Sequence, residues 1–105
     1  MKMIRAIVRP DAADPVADGL SEAGFHSLTK ISAFGRGKQK GIMVGSIHYD
    51  ELPKTILMVV VEDDDVEEVL KLIKYKAYTG SFGDGKIFIS DVEDVVTVRT
   101  GEYGI

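Results

Sequence analysis

Cysteine is absent from the 105-residue chain, which excludes disulfides, cysteine-ligated zinc, iron–sulfur clusters and a thiol nucleophile. Long apolar runs are missing as well. The longest, Ile56 to Val61, has six residues, against the roughly 20 that cross a bilayer. The opening stretch Met-Lys-Met-Ile-Arg-Ala-Ile-Val-Arg-Pro is broken by Arg5 and Arg9, so no secretory apolar region is expected there. A cytoplasmic protein with no membrane insertion is the expectation. Histidine is limited to His26 and His48, each expected as a surface residue, and no pair has metal-ligand spacing. A basic excess is lacking too: 13 Lys plus Arg stand against 17 Asp plus Glu, a net charge of −4, which argues against nucleic acid as a partner.

What is present is 45% hydrophobic content in one domain-sized chain, enough for a core without covalent staples, since folding at this length buries roughly 65% of the unfolded surface. Residues 3–9 are rich in branched side chains and stop at Pro10, with Asp11 as the expected cap of a following helix. Val16, Leu20 and Ala23 have helical spacing and Gly24 supplies a stop. Residues 27–34 alternate as a second strand, and 56–61 suit a central one. Asp63, Asp64 and Asp65 then precede a helix in which Val66, Val69, Leu70, Ile73 and Ala77 share a face; capping at the helix dipole explains the three carboxylates better than a Mg²⁺ cluster. A fourth strand is expected over 86–90 and a short extended piece over 95–98. The order β-α-β, long loop, β-α-β predicts a ferredoxin-like α+β sandwich, an antiparallel four-stranded sheet with two helices on one face. Its helix-free face predicts self-association, most simply as a closed ring.

Two segments carry chemistry. Residues 35–54 hold Gly35, Gly37, Gly41 and Gly45 with weak periodicity, and Arg36, Lys38, Lys40 and Lys54 outnumber Asp50 and Glu51, so a basic segment sits on an acidic body. A structureless stretch of this length is usually functional; the alternative is a two-stranded hairpin of Ile42-Met43-Val44 and Ile47-His48-Tyr49. The second segment, Gly80-Ser81-Phe82-Gly83-Asp84-Gly85-Lys86, matches G-x-x-x-x-G-K until Ile87 replaces the required Ser or Thr. It leaves a helix and enters a strand, the reverse of a P-loop, which excludes a P-loop NTPase. Glycines that admit anionic oxygens to backbone N–H groups, and a lysine point charge, remain; a plain glycine turn is the other reading. Arg99 is a further anion candidate. No nucleophile and base pair is evident, so an enzyme is not expected; a small phosphoryl-processing enzyme on this fold and a binding module that reads adenylates only are the rival classes.

With Gly35-Arg36-Gly37-Lys38-Gln39-Lys40-Gly41, Leu52-Pro53-Lys54, Thr79-Gly80-Ser81-Phe82-Gly83-Asp84-Gly85-Lys86-Ile87-Phe88 and Val98-Arg99-Thr100-Gly101-Glu102 in order, the chain resembles the PII family of nitrogen-regulatory signal transducers from end to end. The resemblance implies one domain over 1–105, with a projecting T-loop at about 36–54, a B-loop at about 79–86 and a C-terminal segment at about 95–105. It implies a trimer that binds ATP or ADP between subunits, senses 2-oxoglutarate and acts on targets through the T-loop. Carried over residue by residue, Gly37, Lys38, Gly83, Asp84, Gly85 and Lys86 fall to the nucleotide, with Thr29 near the adenine and Arg99 reaching a neighbouring subunit's nucleotide. Gln39, Lys40, Gly41 and Lys54 fall to 2-oxoglutarate, Gln39 also ligating Mg²⁺ when both ligands are bound. Ile42, Met43, Ile47, His48 and Tyr49 fall to the partner-binding loop. Thr97 stands where the family has a second arginine, and Met58 where it often has an acidic residue, so weakened nucleotide affinity or altered ribose recognition is expected. The T-loop is shorter than in the common bacterial branch and lacks the motif around its uridylylated tyrosine, a role Tyr49 does not inherit. The short loop, the opening segment and Tyr49-Asp50-Glu51-Leu52-Pro53-Lys54 resemble the first member of the NifI pair of archaeal nitrogen fixers. That likeness implies inhibition of nitrogenase by contact with the dinitrogenase, as a homotrimer or in a mixed assembly with a paralogous NifI-type protein. Control of an ammonium transporter or of another nitrogen-assimilation enzyme is the alternative.

Overall fold

Alternation sets the central strand. In β1 (Lys2–Val8) Ile4, Ala6 and Val8 are buried, while Met3, Arg5 and Ile7 point to the opposite face. A computed structural model describes residues 1–36 and 51–105 in full and 42–44 and 47–49 as backbone. The next element, α1 (Pro10–Glu22), begins one position before the expected cap. Arg9 occupies the N-cap and Asp11 lies inside the first turn. Proline explains the shift: its fixed φ suits the first helical position, where its missing N–H is no loss. The stop at Gly24 is as expected. Its φ is +98°, the Gly24 N–H donates to Ser21 O and the Phe25 N–H to Leu20 O, the double bond of a Schellman closure.

The strands β2 (Thr29–Gly35) and β5 (Leu52–Val61) differ from expectation in their bounds, β5 starting four residues before Ile56. Of those four positions only Leu52 is apolar, and Pro53, Lys54 and Thr55 break the apolar run; pairing with β2, from Thr55 opposite Ser32 to Leu52 opposite Gly35, holds them extended. β1 stops opposite Thr55, so Pro53 lies where only β2 flanks it, a place that tolerates a proline. Between these strands, β3 (Ile42–Val44) and β4 (Ile47–Tyr49) pair antiparallel, Ile42 opposite Tyr49 and Met43 opposite His48. The hairpin alternative is therefore the backbone this segment adopts.

A 3₁₀ turn at Asp63–Asp65 leads into α2 (Val66–Ala77). The expected capping by aspartate side chains is not found. Asp65 has φ −93° and ψ −9° at the N-cap and makes no side-chain cap hydrogen bond, because the 3₁₀ turn already holds it in a helical conformation. Asp63 instead accepts a hydrogen bond from the Met1 amino group at 3.0 Å. After a second 3₁₀ turn, Phe82–Asp84, β6 spans Lys86–Asp91. The expected extended piece at 95–98 is a single bridge between Val96 and Tyr103 that closes a turn.

Sheet order is β2-β5-β1-β6 with every neighbour antiparallel, and α1 and α2 pack on one face, the ferredoxin-like sandwich. Val16, Leu20, Val69 and Ile73 from the helices meet Ile4, Val8, Leu57, Val59 and Val61 from the sheet in the core. The other face carries Met3, Ile7, Ile31, Ile56, Met58 and Val60 around Arg5, with Phe88 49% exposed beside them.

Candidate functional site

Register brings three cations to one end of the sheet. Ile7 pairs with both Ile56 and Lys86, and Val8 with Thr55, so Arg9 leaves β1 beside the stretch of β5 that holds Lys54 and beside the start of β6. The glycine-rich turn 79–85 closes over this end. It must contain glycine at position 85, where φ is +111° and a Cβ would stand 1.8 Å from the Ile7 carbonyl oxygen.

Asp84 organises the turn. Its carboxylate accepts the Thr79 hydroxyl, the Thr79 N–H at 2.7 Å, the Gly80 N–H at 2.9 Å and Arg9 Nε at 3.4 Å. Those donors, the Thr79 hydroxyl first, hold its carboxyl far below the usual carboxylate range. The first amides of the turn thus serve an internal anion. Lys54 Nζ donates to the Gly83 carbonyl at 2.9 Å, and burial, then the neighbouring Arg9 charge, push the lysine below its ordinary value. Arg9 also covers Gly83: a Cβ there would lie 2.6 Å from its Nη2. The chemistry of the corner follows from this arrangement. Lys54 and Arg9 converge on a glycine turn that Lys86 follows as the first residue of β6, and the carboxylate of the turn already has four donors, so an incoming anion meets cations with little acidic competition.

Of the residues picked out from sequence, Lys54, Gly83, Asp84, Gly85 and Lys86 come together. Thr29, at the start of β2, pairs with Met58 in the middle of β5 and is not part of the cluster. Arg99 lies exposed in the turn between Val96 and Tyr103 and makes no described contact with it. Thr97 donates its N–H to Glu102 O in that same turn. Gly37, Lys38, Gln39, Lys40 and Gly41 lie outside the described residues, and Ile42, Met43, Ile47, His48 and Tyr49 are placed as the backbone of β3 and β4. Among the described residues no group of three or more His, Asp or Glu is arranged to hold a metal ion. Sequence reasoning missed Arg9. Its one local signal was a charge between an apolar strand and Pro10; its partners are 45 and 75 positions away in the chain.

Comparison with known proteins agrees with this architecture. The family model described as nitrogen regulatory protein P-II matches residues 1–102. Among relatives, the chain is 61% identical to a nitrogen fixation nifHD region GlnB-like protein 1 of Methanococcus maripaludis and 59% identical to a nifHD2 region GlnB-like protein 1 of Methanosarcina barkeri, each over 100% of both chains. It is 46% identical to nitrogen regulatory protein P-II 2 of Methanothermobacter thermautotrophicus over 99% of this chain and 94% of that one. With the ferredoxin-like sheet, the glycine turn and this kinship, the chain belongs to the PII family of nitrogen regulatory proteins, in its NifI-type branch.

Proposed function

We propose that the chain is a non-enzymatic metabolite switch that binds ATP or ADP at the glycine turn, takes up 2-oxoglutarate beside the nucleotide, and inhibits nitrogenase through residues 36–54. The observation that carries this reading is the 2.9 Å contact between Lys54 and the Gly83 carbonyl. It makes the base of the long segment and the glycine turn one structure, so two anions bound there would adjoin. The donor set suits them: Lys86 holds phosphate as a point charge, Lys54 pairs with a carboxylate, and Arg9 neutralises the space between. Asp84 belongs to the nucleotide set with Gly83 and Gly85 and also fixes the turn through its hydrogen bonds from Thr79 and Gly80.

Mg²⁺ bound to phosphate oxygens and Gln39 would supply open positions for a 2-oxo acid. Lys38, Lys40 and the flanking Gly37 and Gly41 complete the ligand-binding base, Thr29 lies near the adenine, and Arg99 reaches the nucleotide of a neighbouring protomer. The apolar helix-free face supports a closed ring, either three copies of this chain or a mixed assembly with a paralogous NifI-type protein. Kinship with proteins named for nifHD regions supports the dinitrogenase component as the target, contacted by Ile42, Met43, Ile47, His48 and Tyr49. Control of a different nitrogen-assimilation protein is the second reading, favoured by the relative named simply as a nitrogen regulatory protein P-II.

Purified nitrogenase assayed with the protein and Mg-ATP tests the target. Inhibition that is relieved as 2-oxoglutarate is added is the expected result. Full nitrogenase activity at every protein concentration and ligand ratio would shift the assignment to the second reading.

A further inference from the structure

Glycine stands at position 83 for a reason its backbone does not supply. Gly80 and Gly85 have left-handed φ values, but Gly83 does not; it lies in the 3₁₀ turn Phe82–Asp84, a conformation open to an L-residue. What excludes a side chain is Arg9. The three atoms nearest to a Cβ at 83 are Arg9 Nη2 at 2.6 Å and Arg9 Cζ and Nη1 at 2.9 Å each, so the guanidinium lies across the glycine as a unit. Gly85 differs, because there the obstacle is the Ile7 carbonyl. A side chain at 85 meets backbone, whereas one at 83 would push aside the end of a flexible arginine.

Arg9 is itself anchored. It occupies the N-cap of α1 with φ −60° and ψ 146°, ahead of Pro10, and its carbonyl accepts the Ala12 N–H at 3.0 Å. From this base its Nε donates to Asp84 at 3.4 Å, while the Gly83 carbonyl accepts Lys54 Nζ at 2.9 Å. Gly83 and Asp84 are thereby held by a guanidinium across one Cα, an ammonium on one carbonyl and a donor on one carboxylate. Both the Arg9 and the Asp84 side chains are partly buried, which shields their contact from water.

We propose that Arg9 is a positioning residue of the anion-binding corner: it sets the place of Gly83 and Asp84 in the glycine turn, and glycine is required at 83 because Arg9 lies there. The effect on ligands rests on the functional reading above; the packing of Arg9 on Gly83 stands on the ligand-free contacts alone. Because the Gly83 carbonyl is also the acceptor of Lys54, one guanidinium bears on both the nucleotide and the 2-oxoglutarate side of the corner.

The test is a double-mutant cycle of full-length wild type, Gly83→Ala, Arg9→Ala and the double variant, read by thermal unfolding without ligand and by calorimetry with Mg-ATP. With Arg9 present, Gly83→Ala should lower the unfolding midpoint. With Arg9 removed, the same substitution should be neutral or raise it, since alanine at a compatible φ restricts the unfolded chain. For Mg-ATP, Gly83→Ala and Arg9→Ala should each weaken binding roughly tenfold, and the double variant should fall no more than about threefold below Arg9→Ala. Arg9→Lys keeps the charge and loses the planar guanidinium, so its affinity should stay within about threefold of Arg9→Ala. Equal effects of Gly83→Ala in both backgrounds would overturn the assignment, as would wild-type affinity in Arg9→Lys, which would reduce Arg9 to a point charge. Sign reversal in unfolding with no uptake of Mg-ATP by the wild type would instead overturn the functional reading, and the positioning role with it, leaving Arg9 a contact of the fold.

Discussion

Gly85 and Asp84 hold the glycine turn for different reasons, and both are open to substitution. A Cβ at position 85 collides with the Ile7 carbonyl, and its φ of +111° strains any L-residue. Gly85→Ala should therefore destabilise the fold by about 2 kcal/mol or more, measured by urea unfolding. Asp84→Asn keeps the shape and removes the charge, so its midpoint of thermal unfolding should fall at neutral pH. The pH dependence has a definite sign. Because the folded carboxyl lies below its unfolded value of about 3.9, its stabilisation is complete above that pH and is lost as pH falls below it. Wild-type protein should accordingly lose more thermal stability than Asp84→Asn on going from pH 5 to pH 2.5; parallel losses would contradict the hub role. At this scale the sequence was legible where chemistry is local. Glycines and Lys86 could be read off one segment, whereas Arg9 and the Lys54–Gly83 contact depend on strand register, which no local pattern encodes.

The elements were legible in proportion to their periodicity. The buried face of α2 was readable because Val69, Ile73 and Ala77 recur at helical spacing. The first four residues of β5 were not, since pairing with β2 rather than their own composition extends them. Asp11 was a sound cap by type and lost the position to Arg9, because the backbone of Pro10 fits the first helical position. The segment between β2 and β5 admitted two readings, and β3 with β4 gives the hairpin. If this hairpin is the contact with the target, deleting residues 43–48 should leave ATP binding within about threefold while association with the dinitrogenase drops below detection in a pull-down. A truncated protein that still inhibits nitrogenase would remove the hairpin from the account.

At the scale of the molecule, the sheet has one face covered by helices and one bearing Ile7, Ile31, Ile56, Met58 and Val60. Placing a charge in that surface, as in Ile56→Glu, should convert the assembly to monomers in sedimentation velocity, and should weaken nucleotide binding if Arg99 of a neighbouring protomer completes the site. The fold class was legible from element order alone; the proposed ring has only an uncovered sheet face behind it, because one chain does not specify its copies. The central claim is that two anions share the corner built by Arg9, Lys54, Gly83 and Lys86. Coupling of ordinary size, about 1 to 3 kcal/mol, makes one ligand tighten the other about 5- to 150-fold, reciprocally. Isothermal calorimetry of 2-oxoglutarate binding with and without Mg-ATP is the most direct measurement: the account predicts tightening within that range, abolished in Lys54→Met, and equal affinity in the two conditions would contradict it.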